Sequence, residues 1–135
     1  MDVYLTEEAV RLLRSLDVLS DSPRCGFLVG HACGPRIYIE NIIPAGEDCV
    51  FSYARIDALN RITGGETVGF LISGTPPSIR KRLLKPFAFG KVCLEAGRDP
   101  RGRRTLQAFL IEYDGVFRFS PIPVTSGRDR RRHGI

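Results

Sequence analysis

Gly69-Phe70-Leu71-Ile72-Ser73-Gly74-Thr75-Pro76-Pro77-Ser78 changes character at its midpoint, from an apolar run to small residues and prolines. The run from Val68 to Ile72 reads as a buried strand, because continuous apolar residues bounded by turn formers suit a strand covered on both faces. Gly74-Thr75-Pro76-Pro77 reads as a structural turn, as does Gly64-Gly65; neither has the Gly-x-x-x-x-Gly-Lys-Ser/Thr spacing that cradles phosphate. Beyond the turn, Ser78 is placed to cap a short basic helix through Arg80, Lys81, Arg82, Leu83 and Leu84, which Pro86 stops. Phe87 to Leu94 then returns to strand character, and Phe87 and Phe89 read as core residues of that strand.

Upstream of the stretch, Ile56, Leu59 and Ile62 form a helical stripe that Gly64-Gly65 ends. Cys25-Gly26-Phe27-Leu28-Val29-Gly30 is a second short apolar run and reads as a buried strand. It is joined through Ala32-Cys33-Gly34-Pro35, a hairpin turn, to the alternating segment Arg36–Ile43. At the front, Thr6 is an N-cap, and Glu7 and Glu8 complement the positive end of a helix dipole. Ala9, Leu12, Leu13 and Leu16 recur at i, i+3, i+4 and i+7, so a helix from about Thr6 to Leu16 is expected. Downstream, Asp99-Pro100-Arg101-Gly102 turns the chain into a strand over Thr105–Tyr113, and Asp114-Gly115 makes a hairpin into Val116-Phe117-Arg118-Phe119. Pro121 and Pro123 are expected to limit further pairing.

The elements fit one α/β domain, a mixed central β-sheet flanked by helices, over residues 1–124. Residues 125–135 read as a basic, flexible tail. A chain of 135 residues with 43% hydrophobic and 26% charged residues can bury a core without staples, which excludes a disordered chain. No apolar run approaches a membrane span, and the acidic start Met1-Asp2-Val3-Tyr4-Leu5-Thr6-Glu7-Glu8 lacks the pattern of a secretory signal, so a cytoplasmic location is expected. Cys25, Cys33, Cys49 and Cys93 are scattered without a Cys-x-x-Cys pair and read as reduced thiols. Residues 1–79 hold 6 Lys/Arg against 10 Asp/Glu, whereas residues 80–135 hold 14 against 5. Such asymmetry suits an acidic partner, a nucleic acid or a solvated basic face.

The order of elements resembles the JAMM/MPN family of zinc metallopeptidases, whose core is similar in architecture to cytidine deaminases. The resemblance spans roughly residues 2–120. It is carried by Cys25-Gly26-Phe27-Leu28-Val29-Gly30, by Pro44 and Phe51, by Gly69-Phe70 with Ser73, and by Pro77-Ser78. In the family, two histidines and an aspartate bind zinc, a glutamate is the general base and a serine stabilises the oxyanion. Here the ligand positions hold Ile72, Gly74 and Lys81, the base position holds Pro23, and Ser78 matches the serine. An alkyl group, a hydrogen atom and a cation do not make a catalytic zinc site, and proline accepts no proton from water. The resemblance therefore implies a pseudoenzyme without a cofactor, its former metal cavity closed by Ile72 with the Lys81 ammonium near the zinc position. It implies a scaffold that binds protein, either a ubiquitin-like or sulfur-carrier partner, another MPN domain or a second copy. Val68, Phe70, Ile72, Ser73 and Ser78 would form an edge on which an extended peptide pairs.

Two other readings stay open. His31, Cys33, Cys25 and Cys49 could compose a non-standard zinc site and restore a metallopeptidase (isopeptidase or carrier-processing) activity. Alternatively, Arg80, Lys81, Arg82, Lys85, Lys91, Arg98, Arg101, Arg103 and Arg104, with Arg128, Arg130, Arg131 and Arg132, would give a basic nucleic-acid-binding domain. Phe87 and Phe89 would be its candidate base-stacking residues. Ser73 and Ser78 have no nearby histidine or nucleophile elbow, which argues against serine chemistry.

Overall fold

A computed structural model describes residues 1–18, 24–45, 49–73 and 77–127. Along the chain run β1 (Asp2–Leu5), α1 (Glu7–Val18), β2 (Arg24–Cys33), β3 (Arg36–Pro44), α2 (Tyr53–Thr63), β4 (Glu66–Ser73), α3 (Pro77–Arg80), β5 (Val92–Arg98), β6 (Arg104–Tyr113), β7 (Phe117–Ile122) and β8 (Val124–Ser126). Both longer helices begin as their caps require. Ala9 N–H donates to Thr6 Oγ1 at 3.3 Å, and Arg55 N–H donates to Ser52 Oγ at 3.3 Å. α2 ends where Gly64 enters the left-handed region at φ 68°, its N–H reaching Asn60 O.

Among the described residues, eight strands form one mixed sheet in the order β7-β6-β5-β4-β2-β3-β1-β8. β4 runs parallel to β5 and antiparallel to β2. β7 passes through Pro123 directly into β8, and Pro123 O accepts from Val3 N–H, so the two ends of the sheet curl toward each other. Alternation along the strands sorts the core into two layers. Val3, Leu28, Ile37, Ile39, Leu71 and Leu94 meet α1 through Ala9, Leu12 and Leu13. On the other face Phe27, Phe70, Ile72, Cys93 and Ile111 meet Ile56 and Leu59 of α2, with Ile79, Leu83 and Phe87 beyond. Gly69 permits the close approach of β4 to β5, since a Cβ there would run into the Val92 carbonyl.

Several expectations give way. Ser78 lies inside α3 rather than ahead of it. Phe87 does not open a strand: Pro86, with φ fixed and no N–H to give a ladder, starts a 3-10 turn over Pro86–Ala88, and β5 begins only at Val92. Phe87 is buried in that turn, but Phe89 is 59% exposed and is not a core residue. Pro121 does sit in a strand, opposite Phe109, because β7 is at the sheet edge where a missing N–H is tolerated. The sheet also runs on to Ser126, beyond the boundary expected at 124, because Val124–Ser126 pair with β1. The remaining tail arginines lie outside the described residues.

Candidate functional site

The C-terminal end of β4 presents one row of residues across the sheet. Cys25 on β2 is in register with Ile72 on β4, Ile72 with Glu95 on β5, and Glu95 with Gln107 on β6. Ile72 is 2% exposed and belongs to the core layer under α2 and α3. Ile72, which stands where the family resemblance would put a first metal ligand, is thus a packed alkyl group. Pro23 and Gly74 lie outside the described residues, as does the side chain of Ser78.

On one side of Ile72 is an ion pair that the sequence did not announce. Arg80 Nε lies 2.7 Å from Glu95 Oε1, and the guanidinium carbon sits 5.4 Å from the Phe109 ring centre and 4.9 Å from that of Phe119. The pair is held by charge and by the faces of two aromatic rings, in a site where Glu95 keeps only 21% of its side-chain surface exposed. The cation beside this row is therefore Arg80. Lys81, expected there, is exposed, because the first residue past α3 turns away from the sheet. Next to Glu95 on the same layer, burial pushes the Cys93 thiol well above its ordinary range, with the Glu95 charge adding to the effect. Such a thiol stays protonated at neutral pH and is no nucleophile.

On the other side of Ile72, Cys25 and Cys49 form a disulfide, which corrects the expectation of four reduced thiols. Free cysteines among the described residues are Cys33, exposed, and Cys93, buried. Cys49 stands at φ 51°, a left-handed conformation uncommon for a residue with a Cβ. Its carbonyl accepts from Arg82 at 3.2 Å, while Arg55 donates to Ala45 O at 3.1 Å and Val50 O at 3.0 Å. Two guanidiniums and a covalent link thus fix the segment that leads into α2.

These placements also decide the alternative ligand set. Cys25 and Cys49 are committed to each other, so neither offers a thiolate. His31 and Cys33 lie at the far end of β2, about 20 Å away at the usual strand rise of about 3.3 Å per residue. There His31 stacks on Tyr38 with its centroid 5.0 Å away, and its Nδ1 meets Glu40 Oε1 at 2.6 Å. His31, Cys33, Cys25 and Cys49 do not converge, and the described residues contain no group of three or more His, Cys, Asp or Glu suited to a metal.

The expected peptide-pairing edge needs correction as well. β4 is an inner strand: Gly69–Ser73 pair with β5 on one side, while Thr67 and Gly69–Ser73 pair with β2 on the other. Val68, Phe70 and Ile72 are buried, so no added strand can reach this backbone. The outer strands are β7 and β8. Apolar surface is found instead on α2, where a groove of about 240 Å³ runs between Ile43 and Pro44 on one side and Leu59 and Ile62 on the other. Ile62 is 81% exposed and Tyr53 64%.

Of the basic cluster, Arg80 is committed to Glu95 and Arg82 to the Cys49 carbonyl. Lys91 bonds the Thr67 carbonyl at 2.9 Å, and burial lowers the pKa of its amine. Arg98, Arg101, Arg103 and Arg104 gather at the β5–β6 turn, and Lys81 and Lys85 are exposed. A carboxylate in an otherwise apolar strand, Glu95 within Val92-Cys93-Leu94-Glu95, was the available signal of a half-buried ion pair. No spacing rule pointed to Cys25 and Cys49 as partners.

The molecule thus defines a class: a mixed α/β domain with a strongly curved eight-stranded sheet, one helix on one face and a second, with a short third, on the other. It is similar in fold to the solution structure of protein DSY2949 from Desulfitobacterium hafniense, with a TM-score of 0.63, 21% identity and 92% of each chain covered. At that identity the likeness is one of fold alone. No protein-family model matches the chain, and no curated protein matches its sequence. No helix among the described residues is long and apolar enough to cross a membrane.

Proposed function

We propose that this chain is a JAMM/MPN-like domain that has lost the peptidase centre and acts by binding another protein. The observation that carries the reading is Ile72, 2% exposed at the end of β4, with the Cys25–Cys49 disulfide on one side and the Arg80–Glu95 ion pair on the other. The residues do not fit a catalytic zinc. Such an ion takes about three N, O or S ligands and an open position for water. This row offers an alkyl side chain, oxidised sulfurs and a carboxylate already neutralised by a guanidinium. A divalent cation near Glu95 would have to displace Arg80 from between two aromatic rings. We therefore assign no cofactor.

The partner class follows from the family likeness: a ubiquitin-like or sulfur-carrier protein, a second MPN domain, or a second copy of this chain. The apolar surface of α2 supports a protein partner, whereas strand addition along β4 is ruled out by its pairing. The cytoplasmic expectation loses one support, because disulfides are rare in reducing cytoplasm outside hyperthermophiles.

The test is to mix the full chain with a ubiquitin-like carrier bearing a C-terminal extension, in the presence of zinc, and follow mass and assembly together. The reading predicts an intact carrier with a complex or a homodimer seen by light scattering. Zinc-dependent removal of the extension would overturn it.

A further inference from the structure

The β5–β6 hairpin ends in Arg98-Asp99-Pro100-Arg101-Gly102-Arg103-Arg104, four arginines in seven residues, none of them committed to the core. The strand register sets Arg98 directly opposite Arg104. Four like charges held this close repel one another. The turn is nevertheless well built. Asp99 Oδ1 accepts the N–H groups of Arg101 and Arg103, each at 2.9 Å, Gly102 takes φ 79°, and Arg98 Nη1 donates to Gly102 O at 2.8 Å. The carboxylate of the turn is thus engaged by backbone, while the side chains of Arg101 and Arg103 stand exposed.

We propose that this hairpin tip is a docking element for the sugar-phosphate backbone of duplex nucleic acid. Guanidiniums match phosphate oxygens in a bidentate manner, and a two-stranded ribbon has the width that a major groove admits. The composition of the tip chooses among polyanions. Protein interfaces centre on apolar or aromatic anchors, and Gly97 to Thr105 contains none. Single-strand binders stack bases on aromatic rings, and none is present between Arg98 and Arg104. Charge and donors without anchors suit sequence-independent contact with a phosphate backbone. The inference is independent of the pseudoenzyme reading, since the tip shares no residue with the row around Ile72.

The test uses the full chain and a fluorescein-labelled 20-base-pair duplex of arbitrary sequence, titrated by anisotropy at 50 and 200 mM salt. Affinity should fall steeply with salt, each phosphate contact adding about −0.9 to the slope of log K against log salt. In Arg101→Gln/Arg103→Gln the fall between the two salt concentrations should be smaller by a factor of about 12, since two contacts are removed. That variant should keep the wild-type circular dichroism and melting curve. A second variant, Arg128→Gln/Arg130→Gln/Arg131→Gln/Arg132→Gln, separates the tail, and in its background the loss from the tip pair should persist. The proposal is overturned by no duplex binding at 50 mM salt, or by a tip variant with the wild-type slope. It also fails if poly-glutamate binds as tightly with the same dependence on the tip, which would make the partner an acidic protein.

Discussion

The row through Ile72 and the tip of the β5–β6 hairpin lie at the same end of one sheet, joined by the few residues between Glu95 and Arg98, yet they treat charge in opposite ways. In the row, the charged and sulfur groups around Ile72 meet one another inside the fold. Arg80 neutralises Glu95, Cys25 is bonded to Cys49, burial keeps Cys93 protonated, and Ile72 fills the remaining space. At the tip, the carboxylate of Asp99 is taken by backbone N–H groups, and Arg101 and Arg103 stand exposed. A site whose charges are internally satisfied has been closed for stability, and one whose charges are left facing solvent is open to a partner. The proposed docking element therefore lies beyond the row, where β5 runs on from Glu95 to Arg98.

Substitutions break the comparison in order of size. Ile72→Asp should do most damage, placing a second carboxylate beside Glu95 in a buried site. A loss of about 4–5 kcal/mol, or failure to fold, is expected in urea unfolding. A wild-type unfolding curve would mean that water already reaches the row. Reducing the disulfide, or Cys25→Ser, releases a link between residues 24 apart in sequence. The chain-entropy estimate for such a loop is about 3.5 kcal/mol, so the urea midpoint should shift strongly under reductant. No response to reductant would show that the two thiols are unlinked in the protein. Arg80→Met keeps much of the stem volume but leaves Glu95 without its cation. A cost of about 2 kcal/mol is expected, between the values for exposed and fully buried pairs.

At the tip the same measurements should be nearly silent. Asp99→Ala removes an acceptor from the turn and should cost about 1 kcal/mol, with faster amide exchange at Arg101 and Arg103. Arg101→Gln should change stability by less than about 0.5 kcal/mol, in line with exposed sites elsewhere, while weakening duplex binding. If Arg101→Gln destabilised as much as Arg80→Met, the tip would be a structural element and the contrast would collapse.

How far the sequence foretold this follows from which forces are local. α1 and α2 were legible because their apolar spacing, with the Thr6 cap of α1 and the Gly64 stop of α2, lies within one or two turns of the helix concerned; the Ser52 cap of α2 emerged only in the structure. β4 was legible from its uninterrupted apolar run. β1 and β8 were not, since strands of 4 and 3 residues exist only through pairing with each other and with β3. The disulfide and the Arg80–Glu95 pair were likewise hidden, because each joins residues that only the assembled sheet brings together. The direction of Lys81 was misjudged for a related reason. Neighbouring cations look alike in sequence, and the phase of α3 decides which one faces Glu95.

The most direct test of the central claim is the zinc content of the purified chain, measured by elemental analysis after incubation with excess zinc and removal of the unbound ion. A row closed by Ile72, the disulfide and the Arg80–Glu95 pair predicts well under about 0.1 equivalent per chain. About one equivalent, the stoichiometry of a single catalytic site, would contradict it and restore the metallopeptidase reading.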